Sequence, residues 1–503
     1  MNRNSRKWTS MILAVLLTFF SAVPAAAAPE IRRTGANYTP VPQIAVQDAV
    51  PADGAALPSS YTSVGKYISK VKDQGIYNTC SFFSVCAAME ASAVRNKVKI
   101  GSSKATTKLD LSESQLAYFF YHRKTDALKG TSGDKAIAVP SYFGGSHWYD
   151  VGGNTLQNAF HLLTWSGPVR ESKAKYSTTM GKKLKSSLAY KKDILHVQGF
   201  EMKPMDDIAG VKKLIRKYGA VAVNYYHNSL DEYQFYNYTT NAYFCPYSFD
   251  FNHSVAIVGW DDHYSRDNFV IKPANDGAWI VKGQWGTAWG KNGYYYVSYE
   301  DIPLLTSANQ ANYATAFKVE KKNNYKYNYQ YDGGTAVGEI YSANCDSFTL
   351  ANTFKAVGGG KEKLKAVGFG VWSEGVRYKI QIYRNSKKGK PFSGKKLLSK
   401  AQTGVLGNAG FYTVKLKKAV KLKKGYTYTV AVKFSGPRGC PSAMTDAADH
   451  YGWIKAVTKQ KAGVSYYHDK DGLEDLSKAR YYGVLDRIVR RGMTARIKMY
   501  TTK

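Results

Sequence analysis

Val71-Lys72-Asp73-Gln74-Gly75-Ile76-Tyr77-Asn78-Thr79-Cys80 runs directly into Ser81-Phe82-Phe83-Ser84-Val85-Cys86-Ala87-Ala88-Met89-Glu90. Phe82, Cys86, Met89 and Ala93 recur at helical spacing, so residues 81–95 read as a helix with Cys80 at its start. Unpaired backbone N–H groups at such an end create positive potential, which favours thiolate over thiol. Gln74 stands upstream on a turn that contains Gly75. Its side-chain amide can curl back beside the sulfur and, with the Cys80 N–H, donate to an oxyanion developing there.

Two later stretches complete the pattern. Asn252-His253-Ser254-Val255-Ala256-Ile257-Val258-Gly259-Trp260 puts a histidine at the head of an apolar strand. An imidazolium presented there can stabilise a thiolate and later protonate a leaving amine. Trp279-Ile280-Val281-Lys282-Gly283-Gln284-Trp285-Gly286-Thr287-Ala288-Trp289-Gly290 follows, then Asn292-Gly293-Tyr294. Taken singly, Cys80 is more often a core thiol, and His253 has eight competitors among the nine histidines. The three stretches in this order are specific together.

Around them, residues 109–121, with a Ser112/Ser114 capping region, and 154–165, stopped by Gly167-Pro168, read as helices. Residues 221–226, 254–260, 279–282 and 294–299 read as strands. Helices first and antiparallel strands later predict an α+β architecture over 57–302. Beyond residue 303 the texture changes. Alternating runs at 365–372, 378–383, 412–416 and 426–434, separated by Gly and Lys-Lys-Gly turns, predict a β-sandwich over 331–503. Residues 303–330, with Asn/Tyr-rich text at 322–331, read as a linker or first strand.

Arg3, Arg6 and Lys7 precede the apolar run 11–23, which Pro24 breaks before Ala25–Ala28. Residues 1–28 therefore read as a cleaved signal peptide, so the chain is expected to be secreted, extracellular or on a cell surface. Five cysteines in 503 residues exclude a disulfide-dense scaffold and point weakly to a bacterium. No run after residue 30 is long and apolar enough to span a bilayer, so no transmembrane segment is expected in the mature chain. Residues 29–56, punctuated by Pro40, Pro42 and Pro51, read as an extended leader or short propeptide. The net charge is +34, and residues 351–503 hold 33 basic against 9 acidic side chains. Such asymmetry predicts attraction to polyanions such as an anionic cell-wall polymer, with a merely solubilising surface as the alternative. Nucleic acid is not expected, because no helix-turn-helix or zinc-finger pattern accompanies the charge.

The three stretches resemble the papain-like cysteine peptidases. Val71–Cys80 is similar to that family's nucleophile segment, Asn252–Trp260 to its histidine strand, and 279–294 to its Lys-Asn-Ser-Trp-Gly region. Asp150-Val151-Gly152-Gly153 is similar to the strand whose backbone pairs with extended substrate. The resemblance covers 57–301 and implies a two-lobe fold. It implies Cys80 as nucleophile, His253 as acid and base, Gln74 as oxyanion donor, and Trp285 as the shield of the histidine. Gly152, Gly153, Asn252 and Trp285 are the implied substrate-binding positions. Residues 303–503 resemble the lectin-like β-domain that follows such peptidases in some exported bacterial surface proteins, which implies a glycan as a further partner.

The sequence departs from the family at one functional point. In register, the family's orienting Asn becomes Gly283, which has no side chain. Gln284 is the neighbouring candidate substitute, although adjacent strand residues point to opposite faces. Ser81 stands where most relatives have Trp, and Tyr77 where they have a paired Cys. The expectation is a secreted cysteine endopeptidase acting on proteins or peptides, attenuated by the loss at Gly283. The alternative is a catalytically inactive papain-like protein docking on cell-wall or surface components. No metal or cofactor is called for: Cys245, Cys345 and Cys440 lack metal spacing, and Asp261-Asp262 reads as a turn. Cys86 reads as core, and pairing of Cys345 with Cys440 stays open.

Overall fold

The computed structural model describes residues 33–44, 56–140, 145–308, 310–342, 346–358, 360–436, 439, 441–483 and 485–502. The expected signal peptide, leader residues 29–32 and 45–55, and both Cys345 and Cys440 lie outside them. Among the described residues no helix is long and apolar enough to cross a membrane.

The helix that Cys80 opens spans Cys80–Arg95 and is buried around almost its whole circumference as far as Ala93. The four-residue stripe read from the sequence is thus part of a helix that is buried nearly all round, with Ser81, Ser84, Glu90 and Ser92 enclosed as well. Glu90 is buried in it because Lys72 Nζ, 2.9 Å away, and the Leu111 N–H, 2.7 Å away, both donate to its carboxylate. The second helix, Glu113–Tyr121, starts after Ser112, whose hydroxyl accepts the Gln115 N–H at 3.1 Å. Residues 109–111, expected as helix, stay outside it, and Leu111 bridges instead to Arg170. The third, Thr155–Leu162, is capped by Asn154 and stops short of Trp165, whose φ of 69° no helix continues.

These helices build one lobe around Phe82, Met89, Phe120 and Phe160. The other lobe is antiparallel sheet. His253–Asp261 pairs with Val221–Tyr225 on one side and Ala278–Lys282 on the other, and Ala278–Lys282 pairs with Tyr294–Ser298. Its core holds Val223, Ile257, Trp279 and Trp289.

The sheet does not stop there. Tyr313–Lys321 pairs along its length with Leu195–Pro204 and touches Val221–Tyr225 at Thr315. The stretch expected as linker or first strand therefore supplies a strand to the first domain's sheet. Strand Ala409–Lys421 of the C-terminal domain then pairs with Met202–Phe200, so one sheet runs through both domains. Gly410 is required at that junction: a Cβ on it would lie 2.1 Å from the Phe200 carbonyl oxygen.

The C-terminal domain is a sandwich. Strands Ser347–Lys355, Val376–Arg384, Gln402–Leu406, Thr427–Ser435 and Ser465–Asp469 form one layer. Lys363–Val371, Ala409–Lys421 and Ile497–Thr502 form the other. Leu350, Ile380, Val430 and Val432 meet Val367, Phe369, Ile497 and Met499 between them. Buried Arg496 lies 3.8 Å from the ring centre of Phe160 in the first domain and pairs with Asp332 at 3.1 Å.

Candidate active site

Cys80 opens its helix, so its backbone N–H is one of the groups that no preceding turn can satisfy. His253 begins its strand across the cleft. The two starts are tied by Gln284, whose amide donates to Ser254 O at 2.6 Å and to Cys80 O at 3.3 Å. Gln284 therefore braces the backbone of both segments and makes no bond to the His253 ring. Neither ring nitrogen of His253 has a hydrogen-bond partner among the described residues. The ring is held by stacking: Trp285 lies at 4.4 Å and 12°. Gly283 sits behind, its N–H spent on Gly293 O at 2.9 Å.

Leader residues 33–37 lie in the same cleft. The Arg33 carbonyl accepts from Gln74 Nε2 at 2.9 Å and from Trp285 Nε1 at 3.0 Å. Asn252 O accepts from the Gly35 and Ala36 N–H groups at 2.8 and 2.7 Å. Gly153 donates to Gly35 O and accepts from Asn37 N, both at 2.9 Å, in a parallel bridge centred on Ala36. Gly152 has a φ of 93°, and a Cβ there would stand 2.0 Å from Gly35 O. Farther along, Thr39 is buried between Gln157 and Trp453, the latter from the C-terminal domain.

This cover sets the electrostatics. Cys80 packs with Ala36 and Phe251 and is fully buried. Burial pushes its thiol up to about 12, against the pull of N–H groups from Ser254 and Ser81. The helix-end argument anticipates the opposite direction; desolvation wins at a sulfur packed against Ala36 and Phe251. Burial likewise depresses His253 well below the ordinary imidazole range, with nearby His227 adding to the effect. Burial under residues 33–37 thus disfavours the charged form of both groups.

Behind the cleft, Lys72 of the Val71–Cys80 segment donates to Glu90 at 2.9 Å and Glu113 at 2.6 Å and pairs with Asp110 at 2.9 Å. That network pins the Gln74 turn to two helices. Sequence reasoning misses His227, which lies 6.0 Å from His253 ring to ring and bonds Glu232 at 2.9 Å. No spacing rule separates it from the other histidines.

Residues 57–316 match the family model described as papain family cysteine protease, and residues 328–483 match that of a lectin-like domain. Among curated proteins, the chain is 26% identical over 231 residues to "Probable cysteine protease RD19D" of Arabidopsis thaliana, covering 45% of this chain and 53% of that one. It is also 26% identical over 235 residues to a cathepsin L-like proteinase of Fasciola hepatica, covering 45% and 56%. The chain spans about half the length of the curated relatives it matches. Among solved structures it is similar to the cysteine protease and lectin-like domains of Cwp84, described as a surface layer associated protein of Clostridium difficile. That likeness has a TM-score of 0.71 at 25% identity, over 94% of this chain and 93% of that one. A second Cwp84 structure, taken after propeptide cleavage, gives a TM-score of 0.69 at 26% identity over 89% and 100%.

Proposed function

The chain belongs to the papain family of cysteine proteases and carries a lectin-like domain after its peptidase domain, and on that premise we propose that it is a secreted endopeptidase held latent by its own leader. Cys80 is the nucleophile, His253 the proton carrier and Gln74 the oxyanion donor. The observation that carries this reading is the Arg33 carbonyl, clasped by Gln74 Nε2 and Trp285 Nε1 beside the Cys80 helix. A substrate carbonyl held there meets Gln74 Nε2, one of the two donors proposed for the tetrahedral oxyanion.

Catalysis begins when the leader leaves and the proton of the Cys80 thiol passes to His253. The thiolate adds to the peptide carbonyl carbon, and the oxyanion forms against Gln74 Nε2 and the Cys80 N–H. His253 returns its proton to the amine as the C–N bond breaks, leaving a thioester. Water, deprotonated by His253, then adds to the thioester, and the acid and free thiol are released. Gly153, which pairs with residues 35 and 37 of the leader, offers the same backbone groups to an extended substrate, and Gly152 beside it leaves room for that chain to approach.

The basic C-terminal domain is read as the part that docks the enzyme on an anionic polymer or glycan of a bacterial surface. A second reading, a papain-like binder without turnover, is favoured by one observation: Gly283 supplies no acceptor, and the His253 ring nitrogens have none among the described residues. Mass-mapped iodoacetamide labelling of leader-free protein separates the two. The peptidase reading expects Cys80 to react much faster than buried Cys86 and Cys245; equal rates would leave the binder.

A further inference from the structure

The outer face of the sandwich layer formed by residues 347–355, 376–384, 402–406 and 427–435 carries an unusual charge arrangement. Lys379 and Lys433 are direct cross-strand partners, and Arg377 lies two residues along the same strand face as Lys379. All three are exposed. No carboxylate among the described residues pairs with any of them. Like charges set directly opposite each other weaken a sheet, so this face is worse off empty than with an anion on it.

The three cations border a shallow groove of about 440 Å³ whose other walls include Thr403, Val405 and Ser435. Thr403 is the cross-strand partner of Lys379, and Ser435 that of Arg377. Each cation thus has a hydroxyl or a second cation on the neighbouring strand. Strands lie ~4.8 Å apart, and alternate residues along a strand ~6.6 Å apart. The groove therefore presents positive charges at intervals that suit successive charges of an extended chain. An Arg fork and hydroxyl donors are matched to the non-bridging oxygens of phosphate esters.

We propose that this groove, lined by Arg377, Lys379 and Lys433, binds a linear phosphodiester polymer. The proposal rests on the docking role read for the basic domain and locates it on one face of one sheet. The rest of that domain offers an internal control. Lys363 and Lys421 are likewise direct cross-strand partners, both exposed, but they belong to the facing layer and do not line this groove.

The test uses the full chain and a synthetic poly(glycerol phosphate) probe, with dextran sulfate and neutral dextran beside it, titrated over a range of salt. Lys379→Gln/Lys433→Gln should weaken poly(glycerol phosphate) binding at least tenfold. It should also lower the salt slope by about 2, as expected for two lost phosphate contacts. Lys363→Gln/Lys421→Gln should change both by far less. Both variants should melt no lower than the parent, because each removes a repulsive pair. Equal weakening by both would reduce the effect to diffuse charge and overturn the groove while leaving the docking reading intact. No binding by the parent would overturn both. Dextran sulfate held more tightly than poly(glycerol phosphate) at matched charge would overturn the phosphodiester assignment.

Discussion

Gly283→Asn is the change that best probes the chemistry proposed for His253. Gly283 does not adopt a left-handed φ, so a side chain meets no backbone strain. A Cβ there would lie 3.2 Å from Gly293 O, 3.6 Å from Tyr295 Cε1 and 3.7 Å from Trp289 Cε3. One carbonyl must give way by a few tenths of an ångström, which takes back about 1 kcal/mol. Against that, an amide oxygen accepting from the charged imidazole contributes about 1.5–3 kcal/mol. The surplus of about 0.5–2 kcal/mol corresponds to a gain of about 2- to 30-fold in kcat/KM. The acceptor stabilises the protonated ring, so the pKa of His253 rises. The thiolate–imidazolium pair then persists to higher pH, and the alkaline limb of the kcat/KM profile moves upward. The assay is a pH series on leader-free protein with a fluorogenic peptide mixture, alongside thermal melting. An unchanged rate and unchanged limb in a variant that melts like the parent would refute the reasoning. Stacking on Trp285 would then be orientation enough.

Removing residues 29–44 should speed alkylation of Cys80 at pH 7 at least tenfold, because burial under the leader holds the thiol up at about 12 and therefore protonated. With the leader in place, the alkylation rate should instead keep climbing as pH rises towards that value. Gln74→Ala in leader-free protein should cost about 10²–10³ in kcat, while Cys80 alkylation falls far less, since the oxyanion forms only on an acyl substrate. Gly410→Ala should cost upwards of 2 kcal/mol in stability, read by denaturant unfolding, because its Cβ would stand 2.1 Å from Phe200 O at the strand pairing that joins the domains.

The parts of this molecule that were legible in its sequence are those fixed by neighbours along the chain. Cys80 sits at a helix start and His253 at a strand start, and both positions follow from local periodicity. Gly283 is visible as a gap because the residues flanking it keep their register. The long strand Leu195–Pro204 was missed for a physical reason. It is buried on both faces except at Lys203, so the alternation that marks a half-buried strand is absent. Tyr313–Lys321 is likewise buried through Phe317, and its partners lie about a hundred residues upstream.

The protonation of Cys80 fails to follow from local sequence for a different reason. A helix end acts within about one turn, whereas the desolvation that overrides it comes from a segment more than forty residues upstream, at Arg33–Asn37. That segment is held by backbone pairing with Gly153 and Asn252, and by Thr39 lodged against Trp453 of the C-terminal domain. Its grip therefore depends on both domains being docked. The same contacts that hide Cys80 from solvent push its thiol up and the His253 imidazole down, so the proposed latency needs no displacement of either side chain. On the proposed reading, release of the leader readmits water and, with it, the helix-end potential at Cys80.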